Sequence, residues 1–331
     1  MRIRNIFPAI LLAGLLTASC AVTPEEDSYY SSDRVMKAWI NTHYPGLSTF
    51  ANTSAYILES DPGSGASVTD SSYVCVHYVK RNLDQTILGT NIRQVSEQIG
   101  QYSAVTCYES NIWRMDQGYL PDDLETVLKS MRSGGHVKVA LPMSASGHDF
   151  VLYNAFSSVS ENQNQIFDLT LDTVVTDIYQ YEDQRMRNWF EAHYACTDTV
   201  TEGLYFKKLV RTEAETDSIA EGNTVNIRYI VRLLDGEVFD TNIEDTAKFY
   251  RIWNSSNAYS ALTFSFYKDD EKAETENSYV PGFTQSILQM NYGETAVAVF
   301  SSKLGYGEAG KSPSVPEYAP LFYWLYIEPK E

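Results

Sequence analysis

Cysteine is scarce in this sequence, which has 4 Cys among its 331 residues. Once Cys20 is set apart, Cys75, Cys107 and Cys196 remain. A disulfide between Cys75 and Cys107 is conceivable and would leave Cys196 unpaired. No Cys–His spacing of a metal site occurs, so burial in the interior is the better interpretation of these thiols.

Positive charge is also in short supply. The 25 Lys and Arg stand against 43 Asp and Glu, for a formal net charge of −18. If the N-terminal segment that contains Arg2 and Arg4 is cleaved off, the formal net charge becomes −20. A chain so acidic is poorly suited to nucleic acid or to an anionic membrane surface. We therefore expect no nucleic-acid partner.

No apolar run is long enough to be a membrane-spanning helix, because the run from Ile6 to Leu16 is too short for one. Arg2 and Arg4 precede it and small residues follow up to Cys20, the pattern of a secretory signal. The end of this segment resembles a bacterial lipobox, although Thr17 stands where Leu is usual. The resemblance implies a signal peptide at 1–19 and lipid attachment at Cys20. Plain signal-peptidase cleavage, with Cys20 incidental, is the alternative.

An acidic segment follows the cysteine. Residues 20–32 include Glu25, Glu26 and Asp27, which are similar to the acidic tether on surface lipoproteins of Bacteroidota. The other interpretation is a solvated linker. Together with the lipid, this segment predicts a protein of the cell envelope that is anchored in the outer membrane. The periplasmic face and the cell surface are both alternatives for its location.

Residue patterns for acid–base, nucleophilic or metal chemistry are weak or missing. No Gly-x-Ser-x-Gly elbow occurs. His148 and Asp149 are neighbours in sequence, and neighbours rarely face one another in a strand. The run 269–271 is acidic but lacks the spaced ligands of a calcium loop. We therefore expect no cofactor and no metal.

A helical pattern recurs after 150 positions. The residues Met, Trp, Ile, His and Tyr at 36, 39, 40, 43 and 44 recur at 186, 189, 190, 193 and 194, with Phe in place of Ile. The first copy belongs to a helix predicted over 33–44 with Val35 on the same face, and Pro45 and Gly46 stop it. A repeat of this length indicates two units of domain size. Core packing explains the Met–Trp–His stripe better than a cofactor site does.

The C-terminal part of the sequence alternates strands with one short helix. Val225, Ile227, Tyr229 and Val231 alternate as in a half-buried strand. A turn at 235–236 predicts a hairpin. The apolar spacing over 283–290 predicts a helix with one buried face, and the runs 295–300 and 321–327 predict further strands. Aromatic and aliphatic side chains accompany one carboxylate in this stretch.

The order of these residues resembles FKBP-type peptidyl-prolyl isomerases over roughly a third of the chain. The resemblance implies that the prolyl pocket is lined by Tyr229, Phe239, Asp240, Phe264, Val280, Phe283, Tyr306, Val315 and Tyr323. Phe283 stands where the family often has Trp, Tyr323 where Phe is usual, and Phe264 is our choice for an aromatic that is hard to place. Two stretches depart from the family as insertions: 241–261, and a solvated acidic loop at 268–278.

The first repeat follows the same pattern with its pocket residues replaced. Strands are predicted at 73–78, 137–141 and 167–171, and a helix at 124–131. Leu88 and Gly89 replace the Phe-Asp pair, Leu124 replaces the ring of the floor, and Ser146 replaces the tyrosine of the Tyr-Gly loop. Only Tyr78 remains. We therefore predict that this copy is not catalytic.

The predicted fold is α+β, with two FKBP-like antiparallel half-barrels, each wrapped on a short helix and preceded by a helical segment. The first unit occupies 33–180, a connecting helix and linker 181–202, and the isomerase unit 203–331. The implied function is peptidyl-prolyl isomerisation of exported, proline-containing polypeptides. The alternative is a non-catalytic lipoprotein that uses the same fold to hold polypeptide or a partner.

The lipid anchor predicts an outcome for one substitution. Metabolic labelling with palmitate should mark the wild type and leave Cys20→Ala unlabelled, because the thiol is the attachment atom. Label on the Cys20→Ala protein would contradict the prediction.

Overall fold

The computed structural model describes residues 28–116, 119–145, 163–212, 218–236 and 238–330. Within them the α-helices are α1 (Ser28–His43), α2 (Arg93–Gln98), α3 (Asp122–Lys129), α4 (Ile178–Tyr194), α5 (Glu244–Phe249), α6 (Asp270–Asn277) and α7 (Pro281–Ile287). The strands are β1 (Tyr56–Asp61), β2 (Tyr73–Arg81), β3 (Ile87–Thr90), β4 (Asn111–Arg114), β5 (Gly135–Leu141), β6 (Gln165–Val175), β7 (Thr199–Thr201), β8 (Leu204–Val210), β9 (Thr224–Arg232), β10 (Val238–Thr241), β11 (Leu262–Ser265), β12 (Thr295–Phe300) and β13 (Leu321–Ile327). Cys20, Ser146, His148 and Asp149 lie outside the described residues.

Two antiparallel sheets have the same strand order. The N-terminal sheet runs β1-β5-β6-β2-β3, with β4 also paired to β2. The C-terminal sheet runs β8-β12-β13-β9-β10, with β11 also paired to β9 and β7 added beyond β8. The internal repeat read from the sequence is therefore also a repeat of topology, and the predicted α+β class is confirmed. Below, the N-terminal half is the described part of 28–177, and the C-terminal half is that of 199–330.

One buried amide closes the same corner of each sheet. The Asn242 side chain accepts from the Tyr229 N–H at 2.9 Å and donates to the Ile227 carbonyl at 2.8 Å. Asn91 makes the matching pair of bonds to Tyr78 and Val76. Each amide satisfies backbone groups where a strand leaves the sheet and a short helix, α2 or α5, begins. The stretch 241–261 that we took for an insertion therefore has a counterpart in the first half.

Helix α7 packs against the concave face of the C-terminal sheet. Its buried Phe283 and Ile287 belong to one core cluster with residues of β9, β12 and β13. The helix begins at Pro281, which suits a first helical position because no partner exists there for an N–H. It ends at Ile287, and tighter bonds such as Met290 N–H to the Ile287 carbonyl continue the turn. The predicted span 283–290 was therefore displaced.

Helices α1 and α4 cover the outer faces of the two sheets. Met36 and Ile40 are buried against the N-terminal sheet, and Met186 and Phe190 are buried against the C-terminal one. In α1 the Trp39 ring stacks on His43, and in α4 the Trp189 ring stacks on His193. The stripe read from the sequence is core packing capped by an exposed His. Val35, which we placed on the same face, is 55% exposed, and α1 begins at Ser28 rather than at 33.

The acidic loop that we predicted at 268–278 is a helix over most of its length. The Asp269 carboxylate accepts from the Lys272 N–H at 2.8 Å and caps α6. The Asn277 side chain bonds both the N–H and the carbonyl of Ser265 and so ties the helix to β11. The acidic residues here stabilise a helix start, a role that the composition of the segment alone does not reveal.

Three of the four cysteines lie in the described residues. Cys75, Cys107 and Cys196 form no disulfide in the described part of the chain, and the first two are buried. Burial raises the pKa of the Cys75 thiol to about 11.

None of the helices in the described ranges combines the length and the apolar character needed to cross a membrane.

A buried carboxylate joins α4 to the C-terminal half. Glu182 accepts from the Ser302 N–H at 2.8 Å and from the Ser302 hydroxyl at 2.7 Å. Its side chain is fully buried, and burial raises the pKa of Glu182 to about 7, while the bonds from Ser302 act in the opposite direction. The folded chain thus holds a proton there that the unfolded chain, with the ordinary value of 4.5, releases earlier.

Glu182 should make the free energy of unfolding depend on pH. Because its pKa is raised on folding, its contribution is complete below about pH 4.5 and lost as the pH rises to about 7, on the order of 3 kcal/mol in total. The difference in unfolding free energy between wild type and Glu182→Gln should fall across this window and stay flat above it. Urea titrations at several pH values measure this, with Glu191→Gln on the exposed face of α4 as the control. A difference that rises with pH would contradict the assignment.

Candidate active site

The candidate site is built around one ring on α7. Phe283 projects from the helix into the concave side of the sheet and is 3% exposed. Its ring meets three tyrosine rings edge to face, with centroid distances of 5.3 Å to Tyr279, 5.3 Å to Tyr323 and 6.4 Å to Tyr229. Edge-to-face contacts place the positive edge of one ring on the negative face of another, so they favour this arrangement beyond the burial itself.

A close approach of backbone to ring positions this floor. Gly282 lies against Phe300 of β12, and a Cβ atom on Gly282 would stand closer than 3.0 Å to three atoms of that ring. Phe300 is fully buried and stacks on Tyr323 at 5.4 Å and 16°. Gly282 therefore lets α7 sink onto the sheet, and the same contact supports both Phe283 and Tyr323.

One carboxylate stands beside the rings. The Tyr229 hydroxyl donates to Asp240 Oδ2 at 3.0 Å. Asp240 is exposed, whereas Tyr229 is half-buried. Burial raises the pKa of the Tyr229 hydroxyl, and the charge of Asp240 raises it further, so this tyrosine stays a neutral donor near pH 7. Burial likewise raises the pKa of Tyr323 well above its ordinary value.

An irregularity in the sheet gives Phe239 and Asp240 separate tasks. The register of β10 against β9 shifts between Val238 and Asp240. Such a bulge re-aims side chains at a sheet edge. Phe239 packs against the core cluster that holds Phe283, while Asp240 reaches the hydroxyl of Tyr229.

The segment 305–320, which we call the site loop, supplies a tyrosine and a valine. Tyr306 packs against the core cluster, and its hydroxyl accepts from Lys311 Nζ at 3.3 Å. Val315 is fully buried in that cluster and exchanges backbone hydrogen bonds with Lys311. Tyr306 is half-buried, so its hydroxyl is a donor at the edge of an apolar surface.

Val280 caps the start of α7 with its backbone. Its carbonyl accepts from the N–H groups of Phe283 and Thr284. Within the described residues its own N–H has no hydrogen-bond acceptor. A half-buried N–H of this kind is available to a carbonyl of a bound molecule.

Phe264 and Tyr279 form the remaining side. Phe264 is fully buried and stacks on Tyr279 at 6.3 Å, so Tyr279 stands between it and Phe283. The Tyr279 hydroxyl donates to the Thr263 carbonyl at 3.2 Å, which holds the ring in place. Sequence reasoning did not assign Tyr279 to the site. Its position two residues before Pro281, at the start of the floor helix, was the available signal.

The structure thus brings all nine predicted site residues together. Eight lie in or against one core cluster, and Asp240 joins them through Tyr229. Phe300, Gly282 and Tyr279 complete the arrangement. The described residues contain no group of three or more His, Cys, Asp or Glu that could hold a metal ion.

The matching place in the N-terminal half is filled. Tyr78 is fully buried, and its ring lies 6.1 Å from that of Trp113. Leu88 and Leu124, at the positions of Phe239 and Phe283, are also buried. Trp113 pairs with Val74 as Phe264 pairs with Val225. These side chains leave Tyr78 no exposed surface, unlike Tyr229.

Comparison with known proteins finds a similarity in the C-terminal half. Residues 215–327 match the sequence model of a family described as FKBP-type peptidyl-prolyl cis-trans isomerase. This segment is therefore similar in sequence to that family. All nine predicted site residues lie within it.

Individual relatives match parts of the chain. The bovine (Bos taurus) peptidyl-prolyl cis-trans isomerase FKBP11 is 29% identical over 103 residues, which are 31% of this chain and 39% of the relative. Among solved structures, the three FKBP domains of wheat FKBP73 are 18% identical, covering 83% of this chain and 94% of that one, with a TM-score of 0.30. FkpA from Escherichia coli is 20% identical, covering 45% and 58%, with a TM-score of 0.33.

The contact between Gly282 and Phe300 can be tested by a double-mutant cycle. An Ala in a helix is ordinarily favoured over Gly by about 1 kcal/mol. Here Gly282→Ala should instead lower the free energy of unfolding by about 1–3 kcal/mol, because the Cβ overpacks the ring. In Phe300→Ala the space is open, so adding Gly282→Ala there should cost little. Chemical denaturation of the four proteins measures the coupling, and additive losses would show that the ring does not oppose the Cβ.

Proposed function

We propose that the C-terminal half catalyses cis–trans isomerisation of peptidyl-prolyl bonds. The observation that carries the proposal is the set of rings around Phe283, which stands with one exposed carboxylate and a half-buried tyrosine donor in an FKBP-type segment. This chemistry suits a reaction in which no covalent bond is broken.

The barrier to prolyl isomerisation comes from amide resonance and is about 18–20 kcal/mol. Resonance places partial negative charge on the carbonyl oxygen and keeps the amide planar. An apolar enclosure removes water from that oxygen and so disfavours the planar, charge-separated form. A site that binds the twisted amide better than either planar isomer lowers the barrier. Neither a nucleophile nor a metal is required.

The residues divide this work by their chemistry. Phe283 supports the proline ring from below, while Tyr229, Phe239 and Tyr323 enclose it. The hydroxyl of Tyr306 and the N–H of Val280 donate to carbonyl groups of the bound polypeptide. Asp240, held by Tyr229, lies beside the carbonyl of the twisted amide.

We further propose that the clients are exported, proline-containing polypeptides and that the protein is a lipoprotein anchored through Cys20 in the outer membrane. The support for this is the sequence pattern of the N-terminus. The division into a unit at 33–180, a connector at 181–202 and an isomerase unit at 203–331 stays a prediction, supported by the repeated strand order.

A second candidate function belongs to the N-terminal half. Its filled counterpart of the pocket favours a non-catalytic role, in which this half binds a polypeptide or another part of the same chain. The catalytic proposal therefore concerns the C-terminal half alone.

Activity should depend on the rings more than on the carboxylate. Phe239→Ala should lower kcat/KM for an X-Pro peptide at least about tenfold, because a Phe side chain contributes roughly 1.5–3 kcal/mol of apolar enclosure. Phe206→Ala removes a half-buried ring from the same core outside the site and is the matched control. Asp240→Leu should lose less activity than Phe239→Ala combined with Phe283→Ala.

A protease-coupled assay on full-length variants measures these ratios, after circular dichroism has verified folding. An inactive wild type would refute the proposal. An Asp240→Leu variant that is less active than the double ring variant would mean that the carboxylate, not the enclosure, dominates catalysis.

A further inference from the structure

The site loop is held from outside its own half. Arg114 of β4 donates from Nη1 to Glu308 Oε2 at 2.9 Å. The hydroxyl of Tyr119, just after β4, donates to the carboxylate of Glu317. Glu317 is half-buried, and burial raises the pKa of its carboxyl. These contacts come from the N-terminal half and grip the loop that carries Tyr306 and Val315.

An aromatic anchor directly follows Glu317 in the site loop. Tyr318 is 1% exposed and belongs to a cluster with Cys75, Ile112 and Ile178, all of which precede the C-terminal sheet. The Tyr73 ring of β2 meets the Tyr318 ring edge to face at 5.3 Å. A buried ring in such surroundings fixes the end of the loop far more firmly than exposed ion pairs do.

The hairpin turn before Phe239 is held in the same way. Glu109, from the segment before β4, accepts from the backbone N–H of Asp235 at 3.1 Å. Its other oxygen accepts from Arg185 of α4 at 3.0 Å. The half-buried Glu109 therefore ties together the N-terminal half, α4 and the turn that leads to Phe239 and Asp240.

Helix α4 fixes the entry to the site loop. The two bonds from Ser302 to Glu182 lie just before Gly305, where the loop begins. The site loop and the turn between β9 and β10 are thus both held by elements outside the C-terminal sheet. The floor helix α7 is the part that the C-terminal half positions by itself.

We propose that the N-terminal half is a positioning element for the C-terminal site, with Tyr119 and Glu109 as its positioning residues; this inference rests on the proposed isomerase function. The site loop has about the length at which ordering a free loop carries a large entropy cost. Contacts from the N-terminal half order the loop before substrate binds, so Tyr306 and Val315 are already in place. A filled pocket suits this task, because a rigid core makes a firmer support than an open site.

A purely cohesive interface is the competing explanation. In that case, loss of one contact lowers the melting temperature but leaves the site loop ordered and kcat/KM unchanged below the transition. A positioning role predicts instead that loss of one contact disorders the site loop and lowers kcat/KM in the folded protein. Hydrogen–deuterium exchange in residues 305–320 and 233–240 therefore distinguishes the two explanations.

The test uses the full-length chain with four variants. Tyr119→Phe removes only the hydroxyl that bonds Glu317, and Tyr56→Phe in β1 is its control. Glu109→Ala removes the acceptor of the Asp235 N–H, whereas Glu109→Gln retains an acceptor oxygen. We expect Tyr119→Phe and Glu109→Ala to lower kcat/KM about tenfold, the effect of one lost hydrogen bond to a charged group. Glu109→Gln should recover most of the loss, and Tyr56→Phe should match the wild type.

Exchange should be faster by at least about threefold in residues 305–320 of Tyr119→Phe and in residues 233–240 of Glu109→Ala. Exchange equal to that of the wild type in both segments would overturn the proposal. The exchange measurement reports loop order whether or not the chain is an isomerase. An inactive wild type with the expected exchange changes would therefore refute the catalytic function and leave the positioning role standing.

Discussion

The approach of α7 to the centre of the C-terminal sheet is the constraint on which the site depends. Gly282 allows the helix backbone to rest on the Phe300 ring, and that ring in turn supports Tyr323. The Phe283 ring then meets the rings of Tyr229 in β9 and Tyr323 in β13 edge to face. A larger residue at 282 would lift the helix and open gaps between rings, and close packing gives each such gap a cost in free energy.

The two halves show how one topology surrounds the same place in the fold with different side chains. Strand order, the corner amides Asn91 and Asn242, and the covering helices are shared. In the N-terminal half Trp113, Leu88 and Leu124 stand where the C-terminal half has Phe264, Phe239 and Phe283. The backbone supplies a concave sheet in both cases, and the side chains decide whether the central tyrosine is fully buried, as Tyr78 is, or half-buried, as Tyr229 is.

The sequence predicted the central strands of both sheets and the covering helices, and its resemblance to FKBP-type isomerases supplied the candidate site residues. Alternation from Val225 to Val231 located one strand, and the repeated Met–Trp–His stripe located the covering helices, because burial on one face imposes a period. The run 295–300 was predicted as a strand from its apolar residues. The sequence was less informative where capping decides the structure. The acidic stretch 270–277 became a helix through the Asp269 cap and the Asn277 bonds to β11, and α7 began earlier because Pro281 favours a helix start. Tyr279 was missed because ring partners depend on packing.

By itself, the sequence determined the α+β class and the internal repeat, since both follow from local pattern, and it predicted a ring-rich candidate site with a single carboxylate. Only the tertiary structure decided that Tyr318, Glu317 and Glu308 of the site loop rest on the N-terminal half. The polar contacts of Glu308 and Glu317 join residues 194 and 198 positions apart in the sequence. No periodicity records such pairs, because they arise from the surfaces that two folded halves present to each other.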